Sequence, residues 1–134
     1  MTAAHELPPN LSYTRDHEWI AVAPGADLPE DAVRIGLSAI AAESLGEIVF
    51  VDLPEAGTTL VAGEACGEVE STKSVSDLIS PAGGTVVELN PALADDPALV
   101  GKDPYGEGWL FTAVVTDLGD VLSADDYLTF TQGT

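Results

Sequence analysis

At 134 residues, 46% hydrophobic and 20% charged, the chain has the size and character of one globular domain with one modest core. Twenty-three acidic residues oppose four basic ones, a formal charge of −19, which excludes nucleic acid and anionic membranes as main partners and favours proteins with basic patches. A lone cysteine, Cys66, excludes an intramolecular disulfide framework, and 13 glycines with 9 prolines imply many turns.

Residues 1–10 lack periodicity and read as a loose arm ahead of a single domain over residues 11–134. That start has neither the charged-then-apolar order of a signal peptide nor the arginines of a transit peptide, and no apolar run approaches membrane-spanning length. A bacterial cytoplasmic protein is the simplest reading. Residues 18–23 read as a strand, a turn-rich stretch follows, and residues 32–37 form the hairpin partner. Ser38 is placed to cap a two-turn helix over residues 39–45, which Gly46 ends in a left-handed conformation. Residues 47–53, almost continuously apolar, predict a strand buried on both faces.

The next stretch carries the chemistry. Residues 67–71 and 75–80 are β-compatible, with alternating apolar positions such as Val69 and Val75, and they end at Pro81 and Gly83-Gly84. Lys73 sits between them. The pattern predicts a hairpin with Lys73 at its tip, lifting one amine clear of the body between Glu70 and Asp77, where another enzyme can acylate it. Residues 57–64 lead into this hairpin and residues 83–89 lead away as rough counterparts. Gly83-Gly84 reads as a turn and not a phosphate cradle, since no helix opening with Lys-Ser or Lys-Thr follows.

Asn90-Pro91 opens a helical turn reaching Asp95, residues 101–108 read as a loop, and residues 109–115 as a strand. Ser123 and Asp126 are spaced to cap a terminal helix with Tyr127, Leu128 and Phe130 on its apolar side. Short strands with brief helices at the margins predict a mainly β fold, a small sandwich or flattened barrel of antiparallel strands. Cys66 has no activating neighbour and reads as a small core residue, while Tyr105 and Trp109 read as packing residues. No metal site is expected, because neither a partner cysteine nor a second motif histidine accompanies His17.

Four motifs occur in order: Tyr13-Thr14-x-x-His17-Glu18-Trp19; Leu45-Gly46-Glu47-Ile48-Val49-Phe50-Val51-x-Leu53-Pro54; Glu70-Ser71-x-Lys73-Ser74-x-x-Asp77; and Asp103-Pro104-Tyr105-Gly106-Glu107-Gly108-Trp109. Together they resemble the H protein of the glycine cleavage system, over about residues 11–130. The resemblance implies a hybrid fold like that of lipoyl and biotinyl carriers, with two small antiparallel sheets, short peripheral helices and a C-terminal helix. It implies a non-catalytic carrier with (R)-lipoate amide-linked to Lys73, and a recognition hairpin for the lipoylating enzyme that includes Glu70, Ser71 and Ser74.

The implied partners are glycine decarboxylase (P protein), which loads an aminomethyl group onto the arm; aminomethyltransferase (T protein), which removes it; and dihydrolipoyl dehydrogenase (L protein), which reoxidises the dithiol. A lipoate ligase or lipoyl/octanoyl transferase would attach the group. By the same resemblance Glu18 and Asp77, with His17, are candidates to contact the loaded arm, whose cationic amine gains from carboxylates away from water. Plainer readings leave Glu18 solvated beside Trp19, Asp77 merely polar on its strand, and His17 as a turn residue bonded to backbone, which is favoured for His17.

Within the resemblance, Ser74 stands where alanine is commoner, and Gly101-Lys102 replaces an asparagine-containing step. An H-like protein relaying lipoyl or octanoyl groups to other enzymes is the alternative role. A biotinyl carrier fits less well, because Thr72 and Ser74 flank the lysine where methionines are typical. A Schiff-base enzyme needs a larger enclosing fold, and a plain acidic interaction module leaves Lys73 without a task.

Overall fold

Apolar residues alternating with polar ones build a meander at the start of the chain. In the computed structural model, which describes residues 7–132, β1 (Ser12–Thr14), β2 (Glu18–Ile20) and β3 (Val33–Leu37) pair antiparallel, Tyr13 opposite Trp19 and Trp19 opposite Gly36. Gly36 is required by packing, because a Cβ there would lie 2.6 Å from the Trp19 ring. Gly36→Ala is expected to cost about 1–3 kcal/mol by overpacking a closed core. Urea unfolding checks this, and an unchanged midpoint would show that the ring can yield.

Helix α1 (Ala39–Leu45) follows, started by the Ser38 hydroxyl, which accepts the Ala41 N–H, and ended at Gly46 with φ +83°. Strand β4 (Ile48–Asp52), β5 (Thr59–Leu60), the hairpin β6 (Ala65–Ser71) and β7 (Val75–Ile79), and β8 (Ala82–Leu89) come next. Single helical turns α2 (Ala92–Asp95) and α3 (Leu99–Lys102) precede β9 (Phe111–Leu118), β10 (Val121–Leu122) and the terminal helix α4 (Ala124–Gln132). Every pairing is antiparallel. One sheet has seven strands in the order β10-β1-β2-β3-β9-β8-β5 and the other has three, β4-β6-β7, and neither order closes on itself.

Fully buried Ile20, Ile35, Val69, Leu78, Val86 and Phe111 belong to one core cluster, and Tyr13, Trp19, Trp109 and Tyr127 form a second, aromatic one. The mainly β architecture of two antiparallel sheets with marginal helices is therefore as expected, and the expected flanks of the hairpin pair through Thr59 opposite Thr85. Several details differ.

Residues 47–53 are not buried on both faces: Val49 is 42% and Phe50 56% exposed. The reason is position, since β4 is an edge strand and a register shift between Ile48 and Phe50 turns both side chains outward. Gly83-Gly84 is not a turn but an irregularity inside β8, where a Cβ on Gly84 would strike the Val114 carbonyl. The loop expected over residues 101–108 begins inside α3, and the strand expected from Trp109 begins at Phe111. β2 stops at Ile20, where the Val22 N–H turns back to the Ile20 carbonyl. Of the arm expected over residues 1–10, residues 1–6 lie outside the described residues; beyond them, the Pro8 carbonyl accepts from the Tyr13 hydroxyl and the Leu11 N–H.

Candidate functional site

Ser71 fastens the tip of the β6–β7 hairpin. Its hydroxyl accepts the N–H groups of Lys73 and Ser74, each at 3.1 Å, while Thr72 N–H donates to the Glu47 carbonyl at 3.1 Å. The lysine stem thus springs from a fixed turn, as the sequence predicts. Its amine is not lifted clear of the body, however: Lys73 Nζ donates to the Ser44 carbonyl at 3.0 Å. The carbonyls of a final helical turn lack intrahelical partners and carry the negative end of the helix dipole, so a cation within reach settles there. The stem passes over Gly46, whose hypothetical Cβ would sit 3.4 Å from Lys73 Cε.

Beside this contact opens a cleft of about 220 Å³. Leu37, Ile40, Ala41, Leu45 and Val69 give it apolar walls; Asp16, His17 and Asp77 supply its ionisable groups, and Ser44 belongs to its lining. A wider, more open hollow of about 730 Å³ lies against α1 and α3 and is lined by Tyr105 and Pro104. The smaller cleft fits an apolar arm with a polar end better, because it joins apolar walls to two carboxylates and an imidazole.

His17 reaches the cleft through an unusual backbone, φ +73°, with its N–H donating to the Thr14 carbonyl and its carbonyl accepting the Ser38 N–H. Its Nδ1 lies 2.7 Å from the Tyr127 hydroxyl, which lies 2.7 Å from the Ser38 hydroxyl. Burial lowers the His17 pKa. A neutral ring accepting at Nδ1 from Tyr127, itself accepting from Ser38, uses each proton once and leaves the proton of His17 on Nε2. Tyr13 stacks on Tyr127 at 5.0 Å and completes the support. Tyr127→Phe is expected to cost about 1–2 kcal/mol, since it strands His17 Nδ1 and the Ser38 hydroxyl. Unfolding by urea measures it, and wild-type stability in that variant would show the chain to be dispensable.

Glu18 is placed elsewhere. It is 1% exposed, so the reading of a solvated side chain is overturned: paired with Leu37 across strands, it turns its carboxyl into the space between the sheets. Thr14 Oγ1 donates to Oε1 at 2.8 Å, and the Ile79 N–H donates to Oε2 at 3.1 Å from the far end of the hairpin. Desolvation outweighs these bonds and pushes its pKa up to about 8. Burial likewise pushes the thiol of half-buried Cys66 up to about 12, as befits an inert core residue.

The structure therefore brings His17 and Asp77 together at the cleft and sets Glu18 one strand pair behind its Leu37 wall. Asp16 and the Ser44 carbonyl are additions. Adjacency to His17 is the only sequence signal for Asp16, and a backbone carbonyl leaves none. Tyr105 packs as expected, its hydroxyl accepting the Ala39 N–H at 2.9 Å at the start of α1. Among the described residues no group of three or more His, Cys, Asp and Glu side chains is placed to hold a metal ion, and no helix is long and apolar enough to cross a membrane.

A profile of the Glycine cleavage H-protein family matches residues 11–132. The chain belongs to that family. The glycine cleavage system H protein of Corynebacterium aurimucosum is 51% identical over 121 residues, 90% of this chain and 92% of that protein. The H protein of Thermobifida fusca is 48% identical over 95% of this chain and 97% of its own length. The crystal structure of a glycine cleavage system H protein from Mycobacterium marinum superposes with a TM-score of 0.91 at 54% identity, covering 96% of this chain and 100% of that one. The H-protein motifs thus lie where the geometry converges: the second forms the end of α1 and β4, and the third forms the Lys73 hairpin.

Proposed function

We propose that the chain is the lipoyl-carrying shuttle of the glycine cleavage system, with lipoate amide-linked to Lys73. Family membership makes it a carrier component of that system; the observation that supports the residue assignment is a single exposed amine on a Ser71-fastened turn beside a cleft holding Asp16, His17 and Asp77. When bound, lipoate supplies a dithiolane that takes up and releases the aminomethyl group and two electrons. The protein's own residues present, shelter and orient. Amide formation removes the one positive charge of Lys73 and with it the ionic part of the Ser44 contact, which frees the stem to move.

The partners are glycine decarboxylase, aminomethyltransferase and dihydrolipoyl dehydrogenase, with a lipoate ligase or lipoyl/octanoyl transferase for attachment, in the bacterial cytoplasm. The chain itself turns over no substrate. A tethered arm raises its effective concentration at whichever active site has docked. Apolar walls at Leu37, Ile40 and Leu45 exclude water, and the Asp16 and Asp77 carboxylates attract a cationic amine. The His17 ring, fixed by Tyr127, walls the polar end of the cleft, and Glu18 lies beyond the Leu37 wall as an acid that a cation penetrating that far would ionise.

Peptide mapping of native protein should find one lipoyl amide on Lys73, and the lipoylated chain should support glycine–bicarbonate exchange by the decarboxylase. An unmodified Lys73 in cells that make lipoate, or no exchange, overturns the reading.

A further inference from the structure

The outer face of the β4-β6-β7 sheet has a use that no step above requires. Register places Phe50, Glu70 and Val75 in one cross-strand row directly below the Lys73 turn, and Asp52, Glu68 and Asp77 in the next. All six are exposed, Phe50 and Val75 each at 56%. Like charges directly opposite one another across a sheet oppose pairing, and three carboxylates in a row do so twice. No lysine or arginine among the described residues is paired with them: Arg15 pairs with Asp120, Lys102 with Asp96, Arg34 lies over the Trp109 ring, and Lys73 donates to Ser44. Solubility explains the acids but not two large apolar side chains set among them.

We propose that this face is where an enzyme acting on the Lys73 arm docks, presenting an apolar side chain ringed by lysine or arginine. The inference rests on the carrier reading. Charge complementarity selects the occupant. A second copy of this chain would bring −19 against −19, whereas a basic protein surface neutralises the acidic row and covers Phe50 and Val75. Position selects it too, because the only pair nearer the turn, Ile48 with Ser71, is buried, which makes the Phe50 row the last exposed one, so a protein that receives the arm must approach close to it. Acylation of Lys73 removes the charge carried at the tip of this sheet and leaves its acids the more dominant. A groove of about 550 Å³ between Phe50, Leu53, Leu89 and Leu93 continues the apolar part around the β4 edge and can receive the partner's side chain.

The test uses the full lipoylated chain and two variants, Phe50→Ser and the double substitution Asp52→Lys with Glu68→Lys. Lipoyl mass on Lys73 and exchange activity of the wild type are established first, so failure there sinks the carrier reading alone. With a competent wild type, KM for the chain is measured in the decarboxylase, aminomethyltransferase and dehydrogenase reactions at low and high salt. The expected result is a KM raised about tenfold by both variants in at least one reaction, with kcat unchanged, and a weaker salt dependence for the double variant. Unaltered KM in all three reactions overturns the proposal. So does sedimentation showing a wild-type dimer that Phe50→Ser dissociates, since a second copy then owns the face. Should the double variant fail to fold, Phe50→Ser, at an exposed position, decides by itself.

Discussion

Lys73→Arg is expected to leave the fold intact and abolish carrier function. Arginine keeps the charge and can still donate to the Ser44 carbonyl, so the rest state of the hairpin survives. Its guanidinium remains protonated at any physiological pH and offers no free amine for an acyl donor. Stability should change by no more than about 0.5 kcal/mol, as for other exposed positions. Glycine–bicarbonate exchange should fall to the level of a reaction lacking the chain, with no lipoyl mass recovered on any peptide. Exchange persisting in Lys73→Arg would place the arm, or the function, elsewhere.

Glu18 carries the second large effect, in stability against pH. Its folded pKa, about 8, lies above its ordinary value near 4.5, so the folded state holds this proton more tightly than the unfolded state does. The stability it contributes is fully present below about pH 4.5 and is lost as pH rises through about 8. Between about pH 6 and about pH 9 ordinary carboxylates are already ionised, which leaves Glu18 to dominate the slope. The wild type should lose about 2–3 kcal/mol across that window. In Glu18→Gln, which keeps a side-chain oxygen to accept from Ile79 and does not titrate, the loss should largely vanish. Parallel denaturation curves for the two proteins across the window would refute the assignment of a protonated acid to this site.

The same residue shows how far the sequence can be read. Glu18 precedes Trp19 in a strand, and a carboxylate at a strand start is ordinarily solvated. Its burial is made tolerable by the Thr14 hydroxyl and by the hairpin's far end, which delivers the Ile79 N–H from 61 positions away. Phe50 is the converse case. An apolar run predicts a core strand, but exposure depends on how many neighbours a strand acquires, and β4 acquires one. His17 reads from sequence as a turn residue bonded to backbone; its own N–H does close the turn, but its ring bonds to the Tyr127 hydroxyl, 110 positions later, which no local pattern shows.

Local patterns determined the hairpin, its lysine tip, the Ser38-capped helix ended by Gly46, and the antiparallel β class, because each depends on turn chemistry, capping or two-residue alternation within a few positions of chain. Four ordered motifs determined the family. Tertiary structure alone decided what surrounds the amine: the α1 carbonyl it rests on, the cleft joining Asp16 and His17 to Asp77, the buried acid at Glu18 and the outward face at Phe50. Those depend on which sheet meets which, and long-range contact between polar groups leaves no periodic trace in the chain that makes it.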